Sequence, residues 1–234
     1  MEASLHADLR RCIPIIDGDA DIWALFNDAP LYRRVLRAMA DPYRGKVTKV
    51  VGAESRGFVI GQALACELQV GFVGIRKQLG FLPGSVHSVT AGRDYRGNAN
   101  VFRLQQHALS PDDVVVLADD WMETGNSALA VKQLVEDGAD AYFYGATTVV
   151  DQLSAERKAQ LGIFTGIIPN TVLFADEEQK VYSEMDEQEL REAARAFGAP
   201  RVLPAPLATQ IEATLRTAPG TGRSTVGWAP SQEI

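Results

Sequence analysis

The chain has 234 residues with 23 lysines and arginines against 30 aspartates and glutamates, a formal net charge of −7; this size suits one α/β domain with extensions, and the acidic total gives no reason to expect a nucleic-acid partner. Its two cysteines, Cys12 and Cys66, stand far apart with no Cys-x-x-Cys pairing, as expected of reduced thiols in a cytoplasmic protein. No apolar run approaches the roughly 20 residues that cross a bilayer, and the start, Met1-Glu-Ala-Ser-Leu-His6, lacks a basic and then apolar leader, so no membrane partner is expected.

Up to about Lys46 the signals are mixed. Ile13 to Trp23 is acidic and irregular, and Trp23 and Phe26 fit either base-stacking rings or ordinary packing. Pro30 suits a first helical turn, and Leu31, Val35, Leu36 and Met39 then form an apolar stripe, which predicts a helix over Leu31 to Met39. Val47 to Ala53 reads as the first strand, followed by the loop Glu54-Ser55-Arg56-Gly57 and a helix from Phe58 to about Leu68. That loop offers amides at a helix start and a guanidinium fork that can grip phosphate oxygens. Strand Phe72 to Ile75 ends in Arg76 and Lys77. Two cations there either solubilise the surface or face a ligand, since open α/β sheets bind ligands at the carboxyl ends of their strands.

Gln78 to Gly97 contains Gly80, Pro83, Gly84, Gly92 and Gly97 and shows no sustained period. An insertion of this kind suits a lid or binding loop, with a solvated surface loop as the competing reading. Asn100 to Leu104 fits a strand and Ser110 to Asp113 a turn.

The stretch Val114 to Ser127 is the most informative. Val114 to Leu117 reads as a buried parallel strand that ends in two adjacent carboxylates, Asp119 and Asp120. From Asn126 the apolar positions Ala128, Val131, Leu134 and Val135 fall at helical spacing, and Gly138 is expected to stop the helix as a left-handed cap. Glu123, Thr124, Gly125, Asn126 and Ser127 lie between. A glycine there lets backbone approach a ligand, and amides converge at the positive end of the helix, which makes a phosphate cradle. The acid pair is acceptor-only, suited to a diol or a hydrated metal ion. Phosphate on one side and a diol on the other describe a sugar phosphate.

Strand Tyr142 to Val150, a helix from about Ser154 to Leu161 closed by Gly162, and strand Ile163 to Ile168 follow. Strands alternating with helices predict an α/β fold with a doubly wound, mostly parallel sheet flanked by helices. From Pro169 the pattern weakens, although Glu187 to Phe197 and Ala205 to Leu215 look helical and the stretch from Ala218 has the composition of a mobile tail. His6, His87 and His107 show no ligand spacing, so a zinc site is not expected.

The central stretch resembles the signature of the type I phosphoribosyltransferases: an apolar strand, two acids and a loop ending in Thr-Gly-Gly-Thr, here Thr124-Gly125-Asn126-Ser127. Lys49 to Phe58, and Val73 to Lys77 followed by Leu82-Pro83-Gly84, are similar to segments of the adenine phosphoribosyltransferases, with Phe81 where that family has lysine. The likeness extends from about residue 46 to 174. It departs at the early Pro-Gly-apolar-apolar-Phe-Arg-Asp segment, whose last three positions fall on Asp19, Ala20 and Asp21, and at the lid, where Asp94 in Arg93 to Gly97 stands for a glutamate.

The resemblance implies transfer of ribose 5-phosphate from phosphoribosyl pyrophosphate to a purine, adenine by preference. Asp119 and Asp120 would hold the ribose and favour its developing charge, and Asp94 on a flexible lid would exchange a proton with the base. Arg56, Arg76 and Lys77 would hold the pyrophosphate, with Glu54, Ser55 and Gly57 of the same loop as further substrate-binding residues, and Glu123, Thr124, Gly125, Asn126 and Ser127 would take the 5′-phosphate. Magnesium would arrive with the donor rather than occupy a protein site, and a homodimer is implied. Residues 1–45 would cover the base site, 46–174 form the core, and 175–234 a C-terminal extension. Two alternatives stay open: another heteroaromatic acceptor, and a non-catalytic sensor of the donor.

Overall fold

The computed structural model describes residues 2–16, 19–77, 81–92 and 100–174. The expected helices Glu187 to Phe197 and Ala205 to Leu215, the tail, and Asp94 lie outside the described residues.

The chain opens with helix α1 (Glu2–Cys12), a two-stranded ladder of β1 (Ile15–Ile16) and β2 (Asp19–Ala20), α2 (Trp23–Asn27) and α3 (Ala29–Ala40). Pro30 occupies the first turn of α3, and the Asp28 carboxylate accepts from the Leu31 N–H (3.0 Å), capping an otherwise open helix start. Then come β3 (Lys49–Ala53), α4 (Arg56–Leu68), β4 (Gly71–Lys77), β5 (Val86–Thr90), β6 (Val101–Gln105) and β7 (Val114–Met122). Helix α5 (Asn126–Gln133) runs into a π turn (Leu134–Gly138), followed by β8 (Tyr142–Asp151), α6 (Ala155–Gln160), β9 (Ile163–Pro169) and α7 (Asn170–Leu173).

Seven strands form one sheet in the order β5-β6-β4-β3-β7-β8-β9. The five from β4 to β9 in that order are parallel, while β6 and β5 join antiparallel on one side, so the expected mostly parallel sheet is present. Apolar side chains cover both faces, which is why the inner strands read as continuous runs rather than alternations. One face buries Val35, Met39, Tyr43, Val50, Ile60, Leu64 and Val116, the other Val51, Ile75, Phe102, Leu117, Val131 and Leu134. Burial pushes the Tyr43 hydroxyl up to about 12. It stays protonated and donates towards Ala146 O (2.7 Å) and Ile163 O (2.9 Å), joining β8 to β9.

Helix α4 lies unusually close to β3. A Cβ added at Gly52 would sit 2.2 Å from Gly57 O, so only glycine permits this approach, and the approach sets where the start of α4 meets the sheet.

Four expectations need correction. Strand β7 does not end at the acid pair; it continues to Met122, because Trp121 and Met122 keep pairing with Val150 and Asp151 of β8. The Gln78 to Gly97 insertion is not structureless: β5 lies within it and pairs with β6 from Val86↔Gln105 to Thr90↔Val101, an edge ladder too polar to show a period. Gly138 does not cap its helix in the left-handed region; the chain widens into a π turn and the positive φ (55°) falls on Asp140, a residue type that tolerates it. Helix α4 begins at Arg56 rather than Phe58, which places Arg56 and Gly57 in its first turn. No helix among the described residues is long and apolar enough to cross a membrane.

Candidate active site

Strands β4, β3 and β7 are neighbours running the same way, so their carboxyl ends deliver Arg76-Lys77, Glu54 to Gly57, and Asp119-Asp120 to one edge. Asp120 is buried, with its Oδ2 2.9 Å from Arg56 Nε. That approach is oblique. Among the described residues no hydrogen bond is aligned on this oxygen, although it is fully enclosed. An enclosed carboxylate oxygen without an aligned donor is costly unless a ligand completes it.

Asp119 keeps partial solvent contact, yet dense protein surrounds its carboxyl group. Burial first, and then the neighbouring charge of Asp120, push its pKa well above the ordinary carboxylate value. The Asp120 N–H, donating to Asp119 Oδ1 at 3.0 Å, and the Lys77 charge pull the other way without cancelling the rise. A Cβ at Gly57 would lie 3.2 Å from Asp119 Oδ1, so the start of α4 closes directly over this acid.

Glu54 organises the cations. Its Oε2 accepts from the Lys77 N–H (3.0 Å) and lies 3.1 Å from Arg76 Nε, while its own N–H donates to Ile75 O (2.9 Å). The Glu54–Ser55 peptide is cis. Ser55 is exposed at the α4 N-cap position with no side-chain capping bond, which leaves its hydroxyl available to a ligand.

One residue beyond Met122 the chain turns into the expected cradle. Gly125 is left-handed (φ 76°, ψ 0°) and forms the N-cap of α5, with Thr124 exposed and Glu123 half-buried beside it. Asn126 and Ser127 open the helix, and the Asn126 N–H reaches Thr124 Oγ1 at 3.4 Å, a long bond that an anion could replace. Thus every expected site residue within the described set lies at or beside this edge.

Sequence reasoning missed two contributors. Gly52 shapes the loop from inside the fold, and only the glycine itself, unusual within a valine-rich strand, could have signalled it. Arg157, on α6, donates from Nη2 to Asn126 Oδ1 at 3.3 Å, across a separation of 31 residues that no local pattern reveals. Trp23 and Phe26 pack edge to face at 5.4 Å, with Trp23 half-exposed. Among the described residues no three His, Cys, Asp or Glu side chains cluster as a metal cage. The donor set that fits a hydrated divalent ion is the acid pair, with the incompletely satisfied oxygen of Asp120.

The chain matches the phosphoribosyl transferase domain family over residues 28–161. It is 47% identical over 119 residues to the adenine phosphoribosyltransferase of Methylobacillus flagellatus, an alignment covering 50% of this chain and 65% of that one. With the enzyme of the same name from Methylobacterium radiotolerans it shares 34% over 174 residues, 70% of this chain and 94% of the relative. Thus the chain spans slightly under two thirds of the first relative's length and nearly all of the second's. Among solved structures, adenine phosphoribosyltransferase of Rhodothermus marinus superimposes with a TM-score of 0.62 at 27% identity, covering 71% of this chain and 99% of that one. The Saccharomyces cerevisiae enzyme, complexed with an imino-altritol bisphosphate and adenine, gives 0.60 at 27%, over 71% and 99%. With its mostly parallel sheet and with the acid pair and the Gly125 turn at one edge, the chain belongs to the phosphoribosyl transferase domain family.

Proposed function

We propose that this protein transfers ribose 5-phosphate from phosphoribosyl pyrophosphate to a purine, with adenine as acceptor and AMP and pyrophosphate as products. The observation that carries the reading is the convergence of Asp119 and Asp120, the Glu54 to Gly57 loop with Arg76 and Lys77, and the Gly125 turn on one sheet edge. The relatives named above support adenine as the acceptor.

In this reading the amides and hydroxyls of Thr124 to Ser127 hold the 5′-phosphate, and Asp119 and Asp120 accept from the ribose hydroxyls. The bond from the anomeric carbon to pyrophosphate breaks ahead of the new bond to the ring nitrogen. Positive charge then builds on the ribose beside two fixed carboxylates, and the configuration inverts. Arg56, Arg76 and Lys77 receive the departing pyrophosphate. Asp119 and Asp120 are the residues that would hold a hydrated magnesium ion, which when bound would help neutralise the charge of the pyrophosphate. The proton lost from the base passes to Asp94 in the lid, a role that rests on the resemblance alone. A cytoplasmic homodimer in purine salvage is the setting we propose.

A chromatographic assay with magnesium, the donor and a panel of bases tests this, with adenine clearly preferred. Asp120→Asn should cut turnover by about 10²- to 10³-fold while leaving the fold intact. Failure of the wild-type chain to bind the donor in calorimetry would overturn the reading. A different acceptor is the second reading, because Asp19, Ala20 and Asp21 stand at the early segment and the half-exposed Trp23 follows them. The panel separates the two.

A further inference from the structure

Among the described residues four polar side chains are buried: Asp120, Thr147, Thr148 and Asn170. The two threonines are satisfied within the sheet, donating to Thr165 O (3.0 Å) and Val150 O (3.2 Å). Asp120 and Asn170 each keep an enclosed oxygen, Oδ2 and Oδ1, with no aligned hydrogen bond among the described residues. Both lie at the carboxyl edge of the sheet. Met122, Asp151 and Pro169 stand in one row across β7, β8 and β9, and Asn170, only 4% exposed, is the next residue beyond that row. Packing joins it to the acid pair. Trp121, next to Asp120, donates its indole N–H to Gln152 Oε1 (3.2 Å) and meets the Phe174 ring edge to face at 6.1 Å. Phe174 follows Asn170 by one turn, its N–H donating to Asn170 O (3.1 Å).

The geometry of the transfer proposed above, on which this inference rests, decides what ligand would meet this end of the sheet. Inversion at the anomeric carbon sets the incoming ring nitrogen and the departing pyrophosphate on opposite sides of the ribose. Arg56, Arg76 and Lys77 lie on the β3–β4 side of β7, so a ribose held at Asp119 and Asp120 turns its acceptor face towards β8 and β9. We propose that Asn170 is a specificity-determining residue of the acceptor site, its side-chain oxygen accepting from the exocyclic amine of a 6-aminopurine. A carboxamide pairs an acceptor with a donor, the complement of an amine beside a ring nitrogen, and asparagine reads adenine in this way in nucleic acids. Hypoxanthine carries a carbonyl in place of the amine, so Asn170 Oδ1 would face a second acceptor and stay without a partner. Kept from water, that oxygen separates donor from acceptor more sharply than an exposed amide does.

The test is steady-state transfer from phosphoribosyl pyrophosphate with magnesium to adenine and to hypoxanthine, for wild type, Asn170→Leu and Asn170→Ala, with calorimetric donor titrations and thermal melts alongside. Wild type should prefer adenine. Each substitution should narrow the ratio of kcat/KM for adenine over hypoxanthine by about tenfold or more, mainly through the KM for adenine, with donor affinity within about twofold of wild type. Asn170→Leu should melt at or above wild type, because an enclosed oxygen without a donor is removed; Asn170→Ala preserves the selectivity readout if leucine disturbs packing. An unchanged ratio in both variants, beside a wild type that prefers adenine, overturns this inference alone, and a fall in melting temperature with that unchanged ratio marks a structural role. A wild type that binds no donor, or that prefers another base, overturns the functional reading and this inference with it.

Discussion

Replacing Asp119 with asparagine should stabilise the protein at neutral pH and nearly abolish turnover. Asparagine keeps an oxygen to accept the Asp120 N–H now at 3.0 Å and occupies the same volume beside Gly57, so the substitution removes charge and little else. Burial and the Asp120 charge raise the Asp119 pKa in the folded chain above its ordinary value of 3.8. An acid whose folded pKa is raised binds its proton more tightly when folded, so its ionised form costs stability. That cost is absent below the ordinary value, grows as pH rises towards the folded pKa, and is constant above it. Lys77 offsets part of it. We therefore expect a gain of about 1 kcal/mol at pH 7.5 for Asp119→Asn, or about 2–4 °C in melting temperature for a chain of this size. Turnover should fall by about 10²-fold or more, since the carboxylate proposed to face the ribose charge is lost. Calorimetric melts at several pH values check the first claim. A melting temperature below wild type at pH 7.5, or a gain that persists undiminished near pH 3.5, would refute the electrostatic account.

Arg56→Ala removes the cation 2.9 Å from the enclosed Asp120 oxygen; Arg56 is 38% exposed, so the full cost of breaking a buried pair is discounted. Urea unfolding should show a loss of about 1–2 kcal/mol, and donor affinity should fall more than about tenfold. Gly52→Ala puts a methyl 2.2 Å from the Gly57 carbonyl oxygen; we expect about 2–3 kcal/mol of destabilisation and weakened donor binding, because the start of α4 must move. Tyr43→Phe deletes the hydroxyl shared by Ala146 O and Ile163 O; it should cost about 1–2 kcal/mol in urea with kcat and KM for the donor unchanged.

The strand-loop-helix units around residues 49–68 and 114–133 were legible because their valine-rich runs and polar loops lie consecutively in the chain. The convergence of the candidate site residues was legible for the same reason: parallel strands bring the ends of separate local motifs to one edge without any further coding. What escaped was non-local or weakly periodic. Asp119 and Asp120 look like a strand terminus, but Trp121 and Met122 restore the ladder because β8 is long enough to pair with them. Helix α1 drew no prediction; it carries few apolar residues, of which Leu9 is buried, and its docking is helped by the His6 Nε2 contact with Ile167 O at 2.7 Å. The close passage of α4 over Gly52 and the reach of Arg157 to Asn126 depend on packing between elements, which no window of sequence contains.

The charge arrangement at the edge explains how a chain can hold so many like-sided groups before any ligand arrives. Arg56 rests near Asp120, Arg76 near Glu54, and the Lys77 charge acts on Asp119, so each proposed pyrophosphate ligand already has a carboxylate beside it. The arginine contacts are off-axis: Arg76 Nε and Asp120 Oδ2 are both enclosed without an aligned hydrogen bond among the described residues. Pairs of this kind keep the cations in place yet forgo the directional part of the interaction. A pyrophosphate that presents several oxygens can supply that missing alignment, and ribose hydroxyls can donate to the carboxylates as the cations turn away. Under the proposed function, binding is an exchange of partners at this edge, in which contacts that lack alignment give way to a ligand that brings phosphate and diol together.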